Sequence, residues 1–313
     1  MAEIKVCLLS SDNIKEPFMV NDYILNTLKR IDMLPTFPDI VGEIISIIDD
    51  PRSSASDLAK HMDPSMVGEV VRIANTAYFG TGAFRKISTL EHAIAVIGYQ
   101  HLSNIILHMP FVAMAKGDEK SFNRNEFIKH SIACGVLSKA ISSRARIGNQ
   151  NEVYISGIMH DIGVIVIYRY FKNEWQVIQS LISREKMSRV EAEREVLSVD
   201  HGFIGAALLD LWSTPKAITD GVRFHHAPEE AEENKDNAMI THMGNMFSRS
   251  ISFKDDLISF DDFMIRHRLF MGPINALGKP FSPEEEVGFF EHIYSLLREV
   301  KGYTEGTIER END

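Results

Sequence analysis

The stretch GIMHDIGVIVI, at residues 157–167, places two ionisable side chains inside an otherwise apolar run. These side chains belong to His160 and Asp161, and either can bind a metal ion or a proton. Burying an unpaired carboxylate costs several kcal/mol, so Asp161 is expected to have a partner. Two interpretations follow: a metal ion at a working active site, or a hydrogen bond inside a domain that catalyses nothing.

Five of the twelve histidines have a spacing that suits one shared site. They are separated by tens of residues, and each falls on a predicted helix or at its end, so packed helices can bring them together. Imidazole and carboxylate groups are ligands of Zn, Fe, Mn and Ni at hydrolytic sites. A divalent ion there would lower the pKa of a water molecule and polarise a phosphate oxygen. The candidate metal ligands are Glu126, His130, His160, Asp161, His201, His225 and His226.

Two neighbours of His130 share its helical face. Glu126 comes four residues earlier and Cys134 four residues later. We include Glu126 among the candidate ligands, whereas the favoured interpretation of Cys134 is a buried apolar cysteine. Asp161 is expected to pair with His130 or with a metal ion.

The elements that position these residues are predicted to be helices throughout. Apolar residues recur at helical spacing, and alternation of the kind seen in strands is scarce. Residues 21–116 are predicted to form five or six short helices, and residues 251–280 to be irregular. A last helix should begin after Ser282, with Pro283 as its first residue. Between these regions, helices are predicted over 124–147, 152–171, 173–185, 189–197, 201–212, 215–226 and 238–250.

The overall composition narrows the class of protein. A content of 44% hydrophobic residues suits a globular protein with a core. The net charge of −11 argues against nucleic acid as a direct partner. Two cysteines, Cys7 and Cys134, fit a reducing compartment. No predicted segment suits a membrane span or an export signal, so a cytoplasmic location is expected.

The order His, His-Asp, His, His-His resembles the HD superfamily of metal-dependent phosphohydrolases, and GIMHDIG is close to its GLLHDIG signature. Within that superfamily the chain most resembles the HDOD proteins, whose name stands for HD-related output domain. The likeness covers about residues 30–250. The segments that carry it are LPTFPDIVGEIISIIDDPRSSASDLAKHMDPSMVGEVVRIANTAYFG, STLEHAIAVIGYQHLSNIIL, HGFIGAALLDLWSTPKAITDGVRFHH and THMGNMF.

The resemblance implies an all-α fold in which a helical N-terminal lobe packs on a degenerate HD-type helical core. His130 matches the first HD position, and His160 with Asp161 matches the doublet. Glu126 and the later histidines match extra ligands of multi-metal relatives. The expected divisions are an N-terminal extension over 1–20, the N-terminal lobe over 21–117, the HD-like core over 118–250 and a C-terminal helical extension over 251–313.

The chain departs from the superfamily pattern at three places. Asn245 stands where a late aspartate is expected, and a neutral amide is a poorer metal ligand than a carboxylate. Val164 follows the HDIG motif, where the cyclic-di-nucleotide phosphodiesterases commonly have lysine. No Gly-Tyr-Pro element follows His226. The last two departures argue against hydrolysis of cyclic-di-GMP.

The resemblance implies a cytoplasmic signalling or regulatory protein. We expect it to act through a protein partner or a small ligand, such as a nucleotide or phosphate, without robust catalysis. A divalent metal ion, Fe, Mn, Zn or Ni, is the expected cofactor. The alternative is a metal-dependent phosphohydrolase acting on a nucleotide or another phosphoester. A third interpretation is a structural scaffold in which the site is empty.

Overall fold

The computed structural model describes residues 17–30, scattered positions between 47 and 102, and then residues 122–250, 258–278 and 280–308. All regular structure in these ranges is helical, which confirms the predicted all-α fold. The α-helices are α1 Pro17–Leu28, α2 Arg124–Ala145, α3 Gln150–Met159, α4 Ile162–Tyr170, α5 Lys172–Ser180, α6 Arg189–Leu197, α7 His201–Leu211, α8 Lys216–Arg223, α9 Lys235–Ser248, α10 Phe260–His267, α11 Met271–Leu277 and α12 Pro283–Ile308. None of them is long and apolar enough to span a membrane.

Side chains at the helix ends explain where several of these helices begin. The Asn123 side chain accepts a hydrogen bond from the Glu126 N–H and so starts α2. Asp200 does the same for α7 through the Phe203 N–H. At the start of α12, Ser282 and Glu285 each accept a hydrogen bond from the other's backbone N–H, which confirms the predicted helix start.

The predicted helix over 152–171 is wrong in one respect that bears on the site. It is two helices, because α3 ends at Met159 and α4 begins at Ile162. His160 and Asp161 form the turn between them. The turn lets both side chains face the same interior space, which consecutive residues on a continuous helix cannot do.

The prediction that residues 251–280 are irregular is also wrong, since α10 and α11 occupy much of this range. Each of these helices is short, and their apolar residues are interrupted by charged or small ones, so the periodic signal was weak. Ser259 caps α10 by accepting a hydrogen bond from the Asp262 N–H.

Two groups of buried apolar side chains hold the helices together. One contains residues of α1, α3, α4 and α7, and also buried side chains from the scattered positions such as Leu102. The other lies between α2, α9 and the C-terminal helices, with Phe247, Phe263, Phe289 and Phe290 fully buried in it. The C-terminal helix α12 packs against α2. The helix α2 therefore links the C-terminal region to the elements that carry the histidines.

Several predictions for the N-terminal half lie outside the described residues. They include most of the short helices over 21–116 and the boundary near 117–122. Residues 90–96 are helical, and Thr89 accepts a hydrogen bond from the His92 N–H there. The division of the chain into lobes stays a prediction.

Candidate metal centre

Four parts of the chain bring the predicted site residues together. His130 comes from α2, and His160 with Asp161 comes from the turn between α3 and α4. His201 is the first residue of α7, and the pair of His225 and His226 follows the end of α8. The side chains of His160, His201 and His225 are at most 2% exposed, and that of Asp161 is 15% exposed.

The carboxylate of Asp161 lies at the centre of the cluster, and each of its oxygens faces different histidines. Its Oδ1 atom lies 3.0 Å from His201 Nε2 and 3.7 Å from His225 Nε2. Its Oδ2 atom lies 3.3 Å from His160 Nε2 and 3.8 Å from His130 Nε2. The predicted pairing of Asp161 with His130 is therefore its longest contact of the four, and His201 is its nearest partner.

The donor atoms fall into two groups, each compact enough to hold a metal ion. One group contains His130, His160 and Asp161, and the other contains Asp161 with His201, His225 and His226. The Nε2 atoms of His201 and His226 are 2.8 Å apart, and those of His130 and His160 are 3.2 Å apart. Two ligands at about 2.1 Å from one metal ion have a separation of roughly 3.0–3.4 Å. The spacing of His130 and His160 suits a shared ion, and that of His201 and His226 is slightly shorter.

The outer ring nitrogens fix which nitrogen of each imidazole carries the proton. Nδ1–H of His160 donates to the Gly157 carbonyl at 2.7 Å, and Nδ1–H of His225 donates to the Val222 carbonyl at 2.6 Å. A carbonyl can only accept, so each Nδ1 carries a hydrogen. In a neutral imidazole of this tautomer the Nε2 atom has no hydrogen, and its lone pair faces the cluster.

His130 is held in the same tautomer through Ser248. The Ser248 hydroxyl donates its only hydrogen to the Asn245 carbonyl at 2.8 Å. Its oxygen, 3.1 Å from His130 Nδ1, therefore accepts a hydrogen bond from that Nδ1–H. Neutral His130, His160 and His225 accordingly direct unprotonated Nε2 atoms toward a carboxylate that can only accept.

Acceptors that face acceptors at these distances need either protons or a cation between them. The Nε2 atom of His225 is buried and has no hydrogen-bond partner within the described part of the chain. A buried nitrogen of this kind costs free energy unless something binds it. A metal ion would supply the missing partner, so the residues present fit a divalent cation.

The pKa shifts follow from the same crowding. Burial, together with the neighbouring His160, lowers the pKa of His130 to about 3. Burial and the adjacent His201 likewise lower the pKa of His226 to about 3. Burial disfavours the charged form of His201 as well, but the carboxylates of Glu193 and Asp161 outweigh it and raise its pKa to about 9.

His160 and Asp161 are coupled most strongly. Burial opposes charge on both, but their mutual attraction raises the pKa of His160 and lowers the pKa of Asp161. Burial and the neighbouring histidines lower the pKa of His225 well below its ordinary value. Without a metal ion, the raised pKa values favour protons on His160 and His201, whereas the lowered pKa values keep the other three histidines neutral.

Glu193 is a site residue that the sequence analysis missed. It lies on α6 and is fully buried, and its Oε2 atom accepts hydrogen bonds from the His201 N–H at 2.9 Å and from Nδ1–H of His201 at 2.5 Å. A carboxylate behind a ligand histidine fixes the ring and raises its basicity. A charged residue at the centre of a polar helix gave no signal in the sequence, because its burial depends on how α6 packs.

Two further residues support the cluster from behind. Ser248 on α9 holds His130, and Nδ1–H of His242 donates to the His225 carbonyl at 2.7 Å. In the sequence alone, His242 has no ligand-like setting. The structure shows that it anchors the backbone that carries the His225–His226 pair.

Three residues considered in the sequence analysis belong to neither metal-ligand group, although Asn245 lies beside His130 and Cys134 lies beside His160. Glu126 belongs to neither group and lies in the first turn of α2. Asn245 is buried, and its Oδ1 atom accepts a hydrogen bond from Arg249 Nε at 3.1 Å. Cys134 is fully buried, with its Sγ atom 3.9 Å from the Thr241 carbonyl, and it also belongs to neither group.

Comparison with solved structures finds the same fold in proteins of low sequence identity. An HDOD domain protein of unknown function from Geobacter sulfurreducens matches with a TM-score of 0.74 and 23% identity, over 92% of this chain and 99% of that one. A candidate phosphohydrolase from Shewanella amazonensis matches with a TM-score of 0.65 and 19% identity, over 90% and 97% of the two chains.

Comparison by sequence supports the same grouping. An uncharacterised protein from Treponema pallidum is 26% identical over 234 residues, which are 70% of this chain and 43% of that protein. The match therefore spans less than half the length of that relative. The model of the HDOD domain matches residues 34–228, which is more than half of the chain and contains every candidate ligand histidine. The chain therefore belongs to the HDOD family, as its sequence motifs predicted.

Proposed function

We propose that this protein is a signalling or regulatory protein whose His/Asp cluster binds one or more divalent metal ions. The observation that carries the proposal is the set of four histidine Nε2 atoms that surround the Asp161 carboxylate. Their Nδ1–H groups are already bound to Gly157, Val222 and Ser248, so the rings cannot donate inward while they are neutral. A metal ion is the cation that best satisfies this arrangement.

Imidazole with a single carboxylate suits Zn, Fe, Ni or Mn better than Mg or Ca. A bound ion would lower the pKa of a water molecule and polarise a phosphate oxygen. The chain's own residues hold and orient the ligands. Glu193 fixes His201, and the carbonyls of Gly157 and Val222 fix His160 and His225.

Asn245 supports ligand binding in preference to turnover. Its neutral amide lies close to His130, where a carboxylate would add negative charge, and its oxygen already accepts a hydrogen bond from Arg249. The His130 group is then left with one carboxylate, that of Asp161, which it shares with the other group. We infer that the cluster holds a metal ion as part of a site for a phosphate-containing ligand or for a protein partner. Membership of the HDOD family supports this regulatory role.

The alternative is a metal-dependent phosphohydrolase. The group of Asp161, His201, His225 and His226 favours it, because this group contains four donors without needing Asn245. The two proposals share the metal ion and differ in whether a phosphoester is cleaved.

The test is the metal content of protein purified without a chelator. Wild type should hold about one or two ions per chain, and His160→Ala and Asp161→Asn should lose most of this metal. His92→Ala, at an exposed histidine outside the cluster, is the control and should keep it. Absence of metal from wild type, even after incubation with Fe, Mn, Zn and Ni, would leave the cluster as a structural remnant and contradict both proposals.

A phosphoesterase assay on the metal-loaded protein distinguishes the regulatory role from the phosphohydrolase. Turnover of nucleotides or an aryl phosphate that is lost in Asp161→Asn would favour the phosphohydrolase. Metal bound without turnover would favour the regulatory role.

A further inference from the structure

A cleft of about 320 Å³ lies where the C-terminal end of α2 meets the start of α12. Its lining includes Arg144, Arg146, Phe281, Glu285 and His292. His130 and Arg146 are sixteen positions apart along α2, which corresponds to roughly 24 Å at 1.5 Å per residue. A small molecule in the cleft cannot touch the His/Asp cluster, so the cleft is a separate feature of the surface.

The walls of the cleft are fixed by packing and hydrogen bonds. The Phe281 N–H donates to Asn275 Oδ1 at 3.0 Å, and the Phe281 ring lies 5.5 Å from that of Phe289. A Cβ atom on Gly278 would come within 2.9 Å of the Ile147 side chain, so the segment after α11 lies directly against the end of α2. A pocket formed before its ligand arrives loses little entropy on binding.

The cleft carries more positive than negative charge in a chain whose net charge is −11. Arg144 and Arg146 are exposed and make no ion pair with any residue that the structure describes. Arg194, by comparison, pairs with Asp200, and Arg223 pairs with Asp210. Glu285 is the one carboxylate in the described lining, and its Oε2 atom already accepts the Ser282 N–H.

The shape of α12 leaves room for the Arg144 guanidinium. A Cβ atom on Gly288 would lie 3.4 Å from Arg144 Nη2, so the glycine lets the guanidinium lie against the helix. Glu285, Gly288 and His292 follow the spacing of one helical face, which is the face that borders the cleft. Arg144, Arg146 and His292 thus line one cleft with side chains that carry nitrogen donors.

We propose that this cleft binds a small phosphorylated ligand of the nucleoside monophosphate class. Arg144 and Arg146 bind the phosphate, because the planar guanidinium matches two phosphate oxygens at once. The half-buried Phe281 ring offers an apolar face to the base. The volume lies at the lower end of the range for small-molecule sites, which fits one nucleotide and excludes larger cofactors.

The test is calorimetric titration of the full chain with adenosine 5′-monophosphate and, separately, with inorganic phosphate. Wild type should bind the nucleotide saturably and phosphate more weakly. The double variant Arg144→Gln with Arg146→Gln should bind the nucleotide at least ~10-fold more weakly, as expected for loss of charge-assisted hydrogen bonds. Phe281→Leu should weaken nucleotide binding and leave phosphate binding unchanged.

Two matched variants locate the binding. Arg184→Gln changes an exposed arginine away from the cleft and should bind like wild type. His160→Ala disrupts the metal cluster and any phosphate binding there, and the nucleotide binding that depends on Arg144 and Arg146 should persist in it. Loss of binding in His160→Ala would place the nucleotide at the cluster and overturn the proposal.

Two other results would overturn it as well. One is unchanged binding in the double arginine variant. The other is no saturable binding of either probe, in which case the arginines only complement the partial negative charge at the C-terminal end of α2. Melting temperatures of the variants at Arg144, Arg146, Arg184 and Phe281 should match that of wild type, because these side chains are exposed or half-buried.

Discussion

Gly163 lies against the backbone of His201 so closely that a Cβ atom on it would be 2.0 Å from the His201 carbonyl oxygen. The glycine of the HDIG motif is therefore the point where α4 crosses the start of α7. The crossing continues at Gly205, where a Cβ atom would come within 2.8 Å of the Ile162 side chain. This close packing places His201 beside Asp161, which lies two residues before Gly163 in the chain.

Gly163→Ala should destabilise the protein by about 3 kcal/mol or more, because the clash is with backbone that cannot rotate away. It should also lower the metal content, since α7 must move and carry His201 with it. Thermal unfolding and metal analysis measure the two effects. Gly272→Ala is the control, because nothing lies within 4 Å of its Cβ position, and it should be neutral or stabilising by about 0.5–1 kcal/mol. If Gly163→Ala were as stable as wild type, this result would contradict the observed packing.

Removing the carboxylate behind His201 should weaken the metal site without removing a ligand. Glu193→Ala is expected to reduce metal affinity about 10–100-fold, because His201 loses the group that fixes its ring. Glu193→Gln keeps an acceptor for Nδ1–H and should lose less. Competition with a chelating dye measures the affinities.

Glu195→Gln, an exposed position on the same helix, should bind metal like wild type. Equal affinities for Glu193→Ala and wild type would show that His201 needs no support from α6.

A carboxylate at position 245, where the HD superfamily has its late aspartate, should raise the metal affinity of the cluster. Asn245→Asp is expected to raise metal affinity on the order of tenfold, since a charged acceptor replaces a neutral one beside His130. Arg249 competes for the new charge, because its Nε atom already donates to this side chain. The gain should therefore be larger in the double variant Asn245→Asp with Arg249→Gln. Unchanged affinity in both variants would show that this position faces away from the ions.

The stability of the C-terminal region should fall as the pH falls below neutrality. His267 is buried among Phe247, Phe263 and Phe270, and burial with the nearby Arg266 lowers its pKa from 6.5 to about 4. The unfolded chain therefore binds a proton between pH 6.5 and 4 that the folded chain does not. This contribution to stability is complete above pH 6.5 and is lost progressively toward pH 4.

Denaturant unfolding at pH 7 and pH 5 measures this loss. His267→Phe should show a smaller decrease between the two pH values than wild type does. His92→Ala, at an exposed histidine, should show the wild-type decrease. Equal decreases in wild type and His267→Phe would show that other groups account for the acid sensitivity.

The sequence by itself determined the helical class, the family and the set of histidines that converge around Asp161. Helical periodicity is a local property of the sequence, and the order of the histidines is part of the sequence itself. Both can therefore be recognised without a structure. Glu193, Ser248 and His242 could not be found this way, because their roles depend on which helix lies behind which ligand.

Tertiary structure also decided where the doublet lies. The apolar run through 157–167 predicts one continuous helix, but packing of α4 against α7 at Gly163 needs the chain to turn at His160 and Asp161. The sequence alone identifies the candidate ligands. The orientation of each Nε2 atom toward the same carboxylate depends on the packing of α2, α3, α4, α7 and α8. Contacts between helices are set by shape over tens of residues, which a local pattern does not contain.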